Sequence, residues 1–194
     1  MPFQPVTLEG DFVWLEPLSA DHAADLAAVA EPDIFTYHFP PPEFSESGFE
    51  QLINHMKRLS NWLLFAIVWK STGRAVGVTA FIDFSEQHRS VEIGFTWIGK
   101  AYQGTAINPE IKYLMLRHAI EEQNCLRVQI KTDSRNQHSQ RAIEKLGAVR
   151  EGLLRKHMVM HDGHVRDTVI YSITDDDWPG VKAGLEARLR VFSG

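Results

Sequence analysis

The residues best placed to do chemistry stand where a strand-like run meets a loop of small residues. Val91 to Ile98 read as a strand, Gly99 to Ala106 as the loop, and Asn108 and Pro109 suit the N-cap and first position of a helix. Free N–H groups at such a helix start, together with its dipole, attract an anion, and Gly104 and Ala106 let the backbone approach one closely. Glu110 works against an anion there, or complements the helix dipole. The loop lacks the Gly-Lys-Ser/Thr of a Walker A loop and the three glycines of a dinucleotide fingerprint. Farther along, residues 127–156 carry eight bases and three acids, whereas residues 1–60 carry ten acids and two bases. An acidic end and a basic stretch suit two ligands of opposite sign, or two solvated faces of uneven composition.

Other constellations are weaker. His157, His161 and His164 fall within eight residues, but strand alternation puts only 157 and 161 on one face, which argues against a metal site. No Gly-x-Ser-x-Gly elbow supports a Ser-His-Asp hydrolase. Cys125 stands alone, so it forms no disulfide framework and reads as a buried, inert thiol. Aromatic residues Trp14, Phe35, Tyr37, His38, Phe39 and Phe44 gather in and before a Pro-rich connection, where core packing also accounts for them.

These residues need elements to position them. The chain has 194 residues, 44% hydrophobic and 23% charged, which is globular composition and fits one domain over 1–194. A net charge of −5 argues against coating nucleic acid. The longest apolar run, Trp62 to Trp69, is too short to span a bilayer, and the N-terminus lacks signal-peptide order, so the expected location is cytoplasmic. Strands are predicted over 12–18, 62–70, 75–84, 90–98, 126–132, 148–160 and 164–173. Helices are predicted from Ser19 to about Ala30, from a Ser47/Glu50 capping box to about Ser60, over 109–123 and over 139–146, with Gly147 as C-cap. Asp162-Gly163 marks a hairpin, and Asp175 to Asp177 head a possible last short helix. Short connections make the three middle strands an antiparallel meander. The helix between 98 and 126 makes the strands on either side of it parallel neighbours. The fold class is mixed α+β.

Three segments then resemble one family. Gln103 to Asn108 resemble the pyrophosphate loop of the GNAT acetyltransferase superfamily, Gln/Arg-x-x-Gly-x-Gly/Ala, with Ala106 in place of the first glycine and Asn108 in place of the last small residue. Asn136, Ser139, Glu144, Lys145 and Gly147 resemble its Asn-x-x-Ser…Glu-Lys-x-Gly helix. Glu151, Gly152, Arg155, Asp162, Gly163 and Asp167 are similar to the RimJ/RimL branch, which acetylates protein N-termini.

The resemblance implies a mostly antiparallel sheet splayed between its fourth and fifth strands, flanked by helices, with acetyl-CoA as co-substrate in the V and no metal. Its pyrophosphate would rest on Gln103, Gly104, Thr105, Ala106, Ile107 and Asn108. Thr96, Trp97 and Ile98 would pair through their backbone with the pantetheine arm, and Asn136 would hold its amides or simply cap the helix. Arg135, Arg141 and Lys145 are candidates for phosphate contact. Glu92 would be the general base, directly or through water, or else a structural carboxylate. Many relatives place a Tyr acid where this chain has Ile143, so Ser139 would protonate the leaving thiolate. The expected activity is direct N-acetyl transfer to a primary amine, on a peptide N-terminus or a small polar molecule. The aromatic and acidic N-terminal region would border the acceptor groove. A homodimer is common in the family. The missing Tyr and altered glycines leave a non-catalytic CoA-binding domain as the alternative. A module binding another phosphate ligand is a third reading.

Overall fold

The computed structural model describes residues 4–37, 40–59 and 61–193. Its eight strands are β1 (Leu8–Glu9), β2 (Val13–Pro17), β3 (Trp62–Trp69), β4 (Arg74–Ser85), β5 (Ser90–Ile98), β6 (Arg127–Asp133), β7 (Val149–Val159) and β8 (Val165–Thr174). The helices are α1 (Ala23–Val29), α2 (Glu46–Met56), α3 (Ile107–Arg117), α4 (Gln137–Glu144) and α5 (Trp178–Phe192). The strands form one sheet in the order β1-β2-β3-β4-β5-β6-β8-β7. All neighbours are antiparallel except β5 and β6.

That parallel pair builds the site. Its pairing is Ser90 with Arg127, Val91 with Val128 and Glu92 with Gln129. Beyond Glu92 the strands part: β5 follows β4 to Ile98, and β6 follows β8 to Asp133. The sheet therefore opens as a V with Glu92 at its vertex. A bulge accompanies the opening. Val78 pairs with Trp97 and Ala80 with Gly94, so Thr79 faces both Phe95 and Thr96, and Phe95 takes a left-handed φ of 48°.

Two apolar layers cover the sheet. Val91, Ile93 and Ile98 of β5 pack with α3 and α5, and with Val128 and Ile130 of β6. Phe95 and Trp97 face the opposite layer, with Leu26 of α1 and Phe49 and Ile53 of α2. Glu110 ties the first layer to the N-terminus. Its buried carboxylate accepts the N–H groups of Asp11, Phe12 and Val13 at 2.6, 2.8 and 2.7 Å.

Several boundaries differ from expectation. The cap of α2 is Ser45, whose hydroxyl accepts the Gly48 N–H at 3.1 Å, not Ser47; Glu43 packs so close to Gly48 that a side chain there has no room. The helix ends at Met56, and Ser60 lies outside the described residues. Helix α3 starts at Ile107 with Ala106 as N-cap, so Asn108 sits inside its first turn and caps nothing. Pro109 is tolerated there because early helical N–H groups have no intrahelical acceptor. Helix α5 runs 15 residues, longer than the short helix expected. Trp178, Val181 and Leu185 bury one stripe of it, and that packing overrides Gly180 and Gly184.

Candidate active site

The end of β5 feeds the loop. A 3-10 turn at Lys100–Tyr102 follows, and Gly104 takes φ +76°, with open space where a Cβ would stand. Gln103 turns its amide back to the Ile98 carbonyl at 3.0 Å, so its side chain shapes the loop and leaves the backbone exposed. Thr105 bonds the Tyr102 carbonyl at 2.7 Å and receives the Ile107 N–H at 3.3 Å. Among the described residues no acceptor meets the backbone N–H groups of Gly104, Thr105 and Ala106. Three successive donors thus remain open at the head of α3, where the dipole favours an anion. The Glu110 carboxylate is already taken by the β1–β2 turn.

Thr96, Trp97 and Ile98 line the loop side of the V. The Trp97 side chain packs on Phe35 at 5.5 Å and Phe49 at 6.1 Å, and Ile98 lies in the opposite layer. Only their backbone can face the cleft, along a strand edge that has lost its partner. The buried Trp97 indole N–H has no partner among the described residues. Thr96 bonds Thr79 at 2.7 Å and receives the Lys112 ammonium at 3.0 Å. Lys112 has no carboxylate partner among the described residues, and burial pulls its ammonium down to about 7.

The vertex and the far arm carry charge. Glu92, 8% exposed, accepts Lys131 at 2.7 Å and lies 3.4 Å from the Gln129 amide. Two residues along β6, Asp133 is gripped by Arg135 at 3.0 and 2.8 Å and by the Arg135 N–H at 2.8 Å. Burial alone would raise the Asp133 carboxyl, but the Arg135 bonds more than reverse that and hold it below the ordinary range. Arg135 also lies 5.4 Å from the Tyr37 ring. From β8, Arg166 sends Nε to the Thr168 hydroxyl at 3.0 Å, and His157 Nδ1 of β7 meets the same hydroxyl at 3.1 Å.

At the open end of the V, β6 leads into α4. Asn136 caps α4, its side chain accepting the Ser139 N–H at 3.0 Å. The Ser139 hydroxyl, half-buried, has no partner among the described residues. Arg141 and Lys145 are exposed and form no ion pair among the described residues. Ile143 is buried in the core, so α4 offers no phenol at that position.

The loop of 103–108 thus follows the free end of β5 and α4 follows the free end of β6, so both stand at the open side of the V whose vertex is Glu92. No bond joins Glu92 to Ser139. Arg135 commits its Nε and one terminal nitrogen to Asp133. Trp14 lies instead under Lys70 at 4.9 Å, and Phe35 is core; of the aromatic group Tyr37 reaches the charged cluster, while His38 and Phe39 lie outside the described residues. His161 falls in the turn past β7, off the face of His157. Among the described residues no three His, Cys, Asp or Glu side chains gather to hold a metal. Cys125 is buried, and burial pushes its thiol up to about 11. No helix among the described residues is long and apolar enough to cross a membrane. Sequence reasoning did not single out Lys131, Arg166, Thr168 or Lys112. The β8 alternation, with Val169, Tyr171 and Ile173 inward, would have put Arg166 and Thr168 together on the other face.

Comparison with known proteins agrees with this geometry. Residues 13–149 match the Acetyltransferase (GNAT) domain. A Bacillus subtilis (strain 168) protein, provisionally named a ribosomal N-acetyltransferase, YdaF, is 26% identical over 169 residues, 73% of this chain and 91% of its own. Among solved structures, a provisionally named acetyltransferase from T. thermophilus is 38% identical with a TM-score of 0.90, covering 97% of this chain and 100% of its own. A GCN5-related N-acetyltransferase from Brucella melitensis is 28% identical with a TM-score of 0.92, covering 97% and 87%.

Proposed function

The chain belongs to the GNAT acetyltransferase family and is an N-acetyltransferase, and from that premise we propose that it takes acetyl from acetyl-CoA and passes it directly to a primary amine. The acceptor is a protein N-terminus or a small polar amine, as in RimJ/RimL-type enzymes, and the whole chain acts as one cytoplasmic domain. The provisional name of the Bacillus subtilis relative supports a protein acceptor.

The observation that carries the cofactor reading is the V with three open N–H donors at its mouth. Acetyl-CoA suits these residues. Gly104, Thr105 and Ala106 offer backbone donors to a diphosphate, beside Gln103, Ile107 and Asn108 of the same turn, and Gly104 leaves space for it. Exposed Arg141 and Lys145 add positive charge. The unpaired edge of β5 at Thr96–Ile98 offers amide groups to an amide-bearing arm. Asn136 is engaged as a cap through its carbonyl oxygen, and its amide nitrogen remains available.

Transfer forms an N–C bond and breaks a C–S bond, while the amine gives up a proton and the thiolate gains one. Glu92 takes the amine proton, directly or through water, with Lys131 fixing its orientation. Ser139 relays a proton to sulfur through its unengaged hydroxyl, taking one from solvent as it gives one up, while Glu92 returns its proton to solvent. Donors on the unpaired edge of β5 beside the bulge serve the carbonyl oxygen as it gains charge.

The test is thermal melting with and without acetyl-CoA. At a hundredfold excess over the dissociation constant the expected stabilisation is about 2.7 kcal/mol, or roughly 5–11 °C for a chain of this size. No shift overturns the cofactor reading. A shift with no acetylation of any amine leaves a CoA-binding domain and overturns the catalytic one.

A further inference from the structure

The floor of the far arm is a charged array on the sheet face opposite α3. Glu92, Gln129, Lys131 and Asp133 alternate with the core residues Val128 and Ile130. Arg166 and Thr168 lie on the same side of β8, because Val169, Tyr171 and Ile173 face the core. The opposite apolar layer, built on α1 and α2, stops at β5. Over this part of the sheet the Tyr37 ring stands 5.4 Å from the Arg135 guanidinium.

The charges there do not cancel in pairs. Lys131 holds Glu92 at 2.7 Å, and Arg135 holds Asp133 through both carboxylate oxygens. That leaves Arg166, which forms no ion pair among the described residues. Its Nε is fixed on Thr168, itself fully buried and also met by His157. Burial lowers the Arg166 guanidinium from its ordinary value, while the charges of Asp133 and Glu92 act in the other direction. The two terminal nitrogens carry four N–H donors in a fixed plane, and these have no acceptor among the described residues. Because β8 runs antiparallel to β6, with Thr168 opposite Asp133, Arg166 sits past the end of β6, at the open side of the V.

Resting on the acetyltransferase reading, we propose that Arg166 is the acceptor's anchor: it binds a carboxylate carried by the molecule whose amine is acetylated. A planar guanidinium with both terminal nitrogens open matches a carboxylate in two parallel bonds. With Glu92 at the vertex and Arg166 at the mouth of one face, the acceptor spans them, its amine toward Glu92 and its acid toward Arg166. Acceptors with an acid a few bonds from the amine are therefore preferred over otherwise equal amides. A small amino acid and a peptide with an acidic residue next to its N-terminus both present this chemistry.

The test uses matched pairs: β-alanine against β-alaninamide, and Ala-Asp-Ala-amide against Ala-Asn-Ala-amide. For the wild type, kcat/KM favours the acid by about 10- to 100-fold in at least one pair. The pair that shows the preference separates the small-molecule source from the peptide source. Arg166→Gln removes the preference, with KM for acetyl-CoA and the acetyl-CoA-induced melting shift unchanged, and Arg166→Lys restores only part of it. Equal use of acid and amide by the wild type overturns the proposal, as does a preference that survives Arg166→Gln. Either result leaves the acetyltransferase reading intact, since turnover is seen. If no amine turns over, that reading falls. Calorimetric binding of the same pairs to CoA-saturated protein then decides for Arg166: equal or absent binding overturns the proposal.

Discussion

Removing the Glu110 carboxylate should cost this protein more than any single surface ion pair. Its two oxygens accept three backbone N–H groups, Oε1 from Asp11 and Oε2 from Phe12 and Val13. Only the Val13 bond is fully buried, so Glu110→Ala leaves one buried donor orphaned, at about 1–3 kcal/mol, and two that water partly recovers, at about 0.5–1 kcal/mol each. The sum is about 3 kcal/mol, equivalent to a Tm drop of roughly 6–12 °C at this chain length. Glu110→Gln keeps one oxygen for Phe12 and Val13 but turns an NH2 group toward the Asp11 N–H, at about half the cost. Gly10 gives a second handle. A Cβ there would stand 2.3 Å from Glu110 Cδ, so Gly10→Ala alone displaces the carboxylate and loses much of the same network. In Glu110→Ala that obstacle is gone. Urea melts of the two single variants and the double variant should therefore show strong non-additivity, about 2 kcal/mol. A Glu110→Ala cost under about 1 kcal/mol, or additive effects, would refute the reasoning.

Three other perturbations follow from the site. Glu92→Gln should lower kcat by about 100-fold or more and remove the acidic limb of the pH–rate profile; an unchanged profile takes Glu92 out of the mechanism. Ser139→Ala should lower kcat by roughly tenfold or more with Tm unmoved, because the cap uses the Ser139 N–H and not its hydroxyl; full turnover would reduce Ser139 to a helix residue. Lys112, held at about 7 in the folded chain by burial, regains its ordinary value of 10.5 on unfolding. The unfolded chain then binds more protons between those values, so this group makes stability rise with pH across that window. Between pH 7 and 9 the gain is about 2 kcal/mol, and Lys112→Met should flatten it; an identical slope in the variant contradicts a buried amine whose ammonium is met by the Thr96 hydroxyl and no carboxylate among the described residues.

The meander and the parallel pair were legible because their signals are local. Thr72-Gly73 and the polar 85–89 stretch bound apolar runs, and β3, β4 and β5 fall within a residue of their expected limits. The phosphate loop was legible in place but not in detail. Its helix has Ala106 as N-cap, whose methyl group cannot bond a backbone N–H and announces no cap, so Asn108 drew the expectation instead. The charged array was not legible. Which of Arg135, Arg141 and Lys145 points inward depends on Asp133, and Arg166 reaches the site only because β8 inserts between β6 and β7. That strand order is a long-range pairing that no window of sequence displays. The length of α5 was hidden by Gly180 and Gly184, where tertiary burial wins over propensity.

The bulge at Phe95 has a further consequence for how this chain can change. Before it, odd-numbered residues of β5 face α3; after it, Phe95 and Trp97 face the layer of α1 and α2. The extra residue thus works as a phase shift in the alternation. Deleting Phe95 would restore the plain alternation, with Thr96 on the α3 side and Trp97 and Ile98 still in their own layers, and would remove only the Phe95 ring from the layer of α1 and α2. A one-residue deletion at the bulge is therefore a local event that straightens β5, with Trp97 still opposite Val78 and Ile98 opposite Gly77. The extra residue thus shapes the strand edge where β5 leaves β6, and the sorting of Trp97 and Ile98 between the layers does not depend on it.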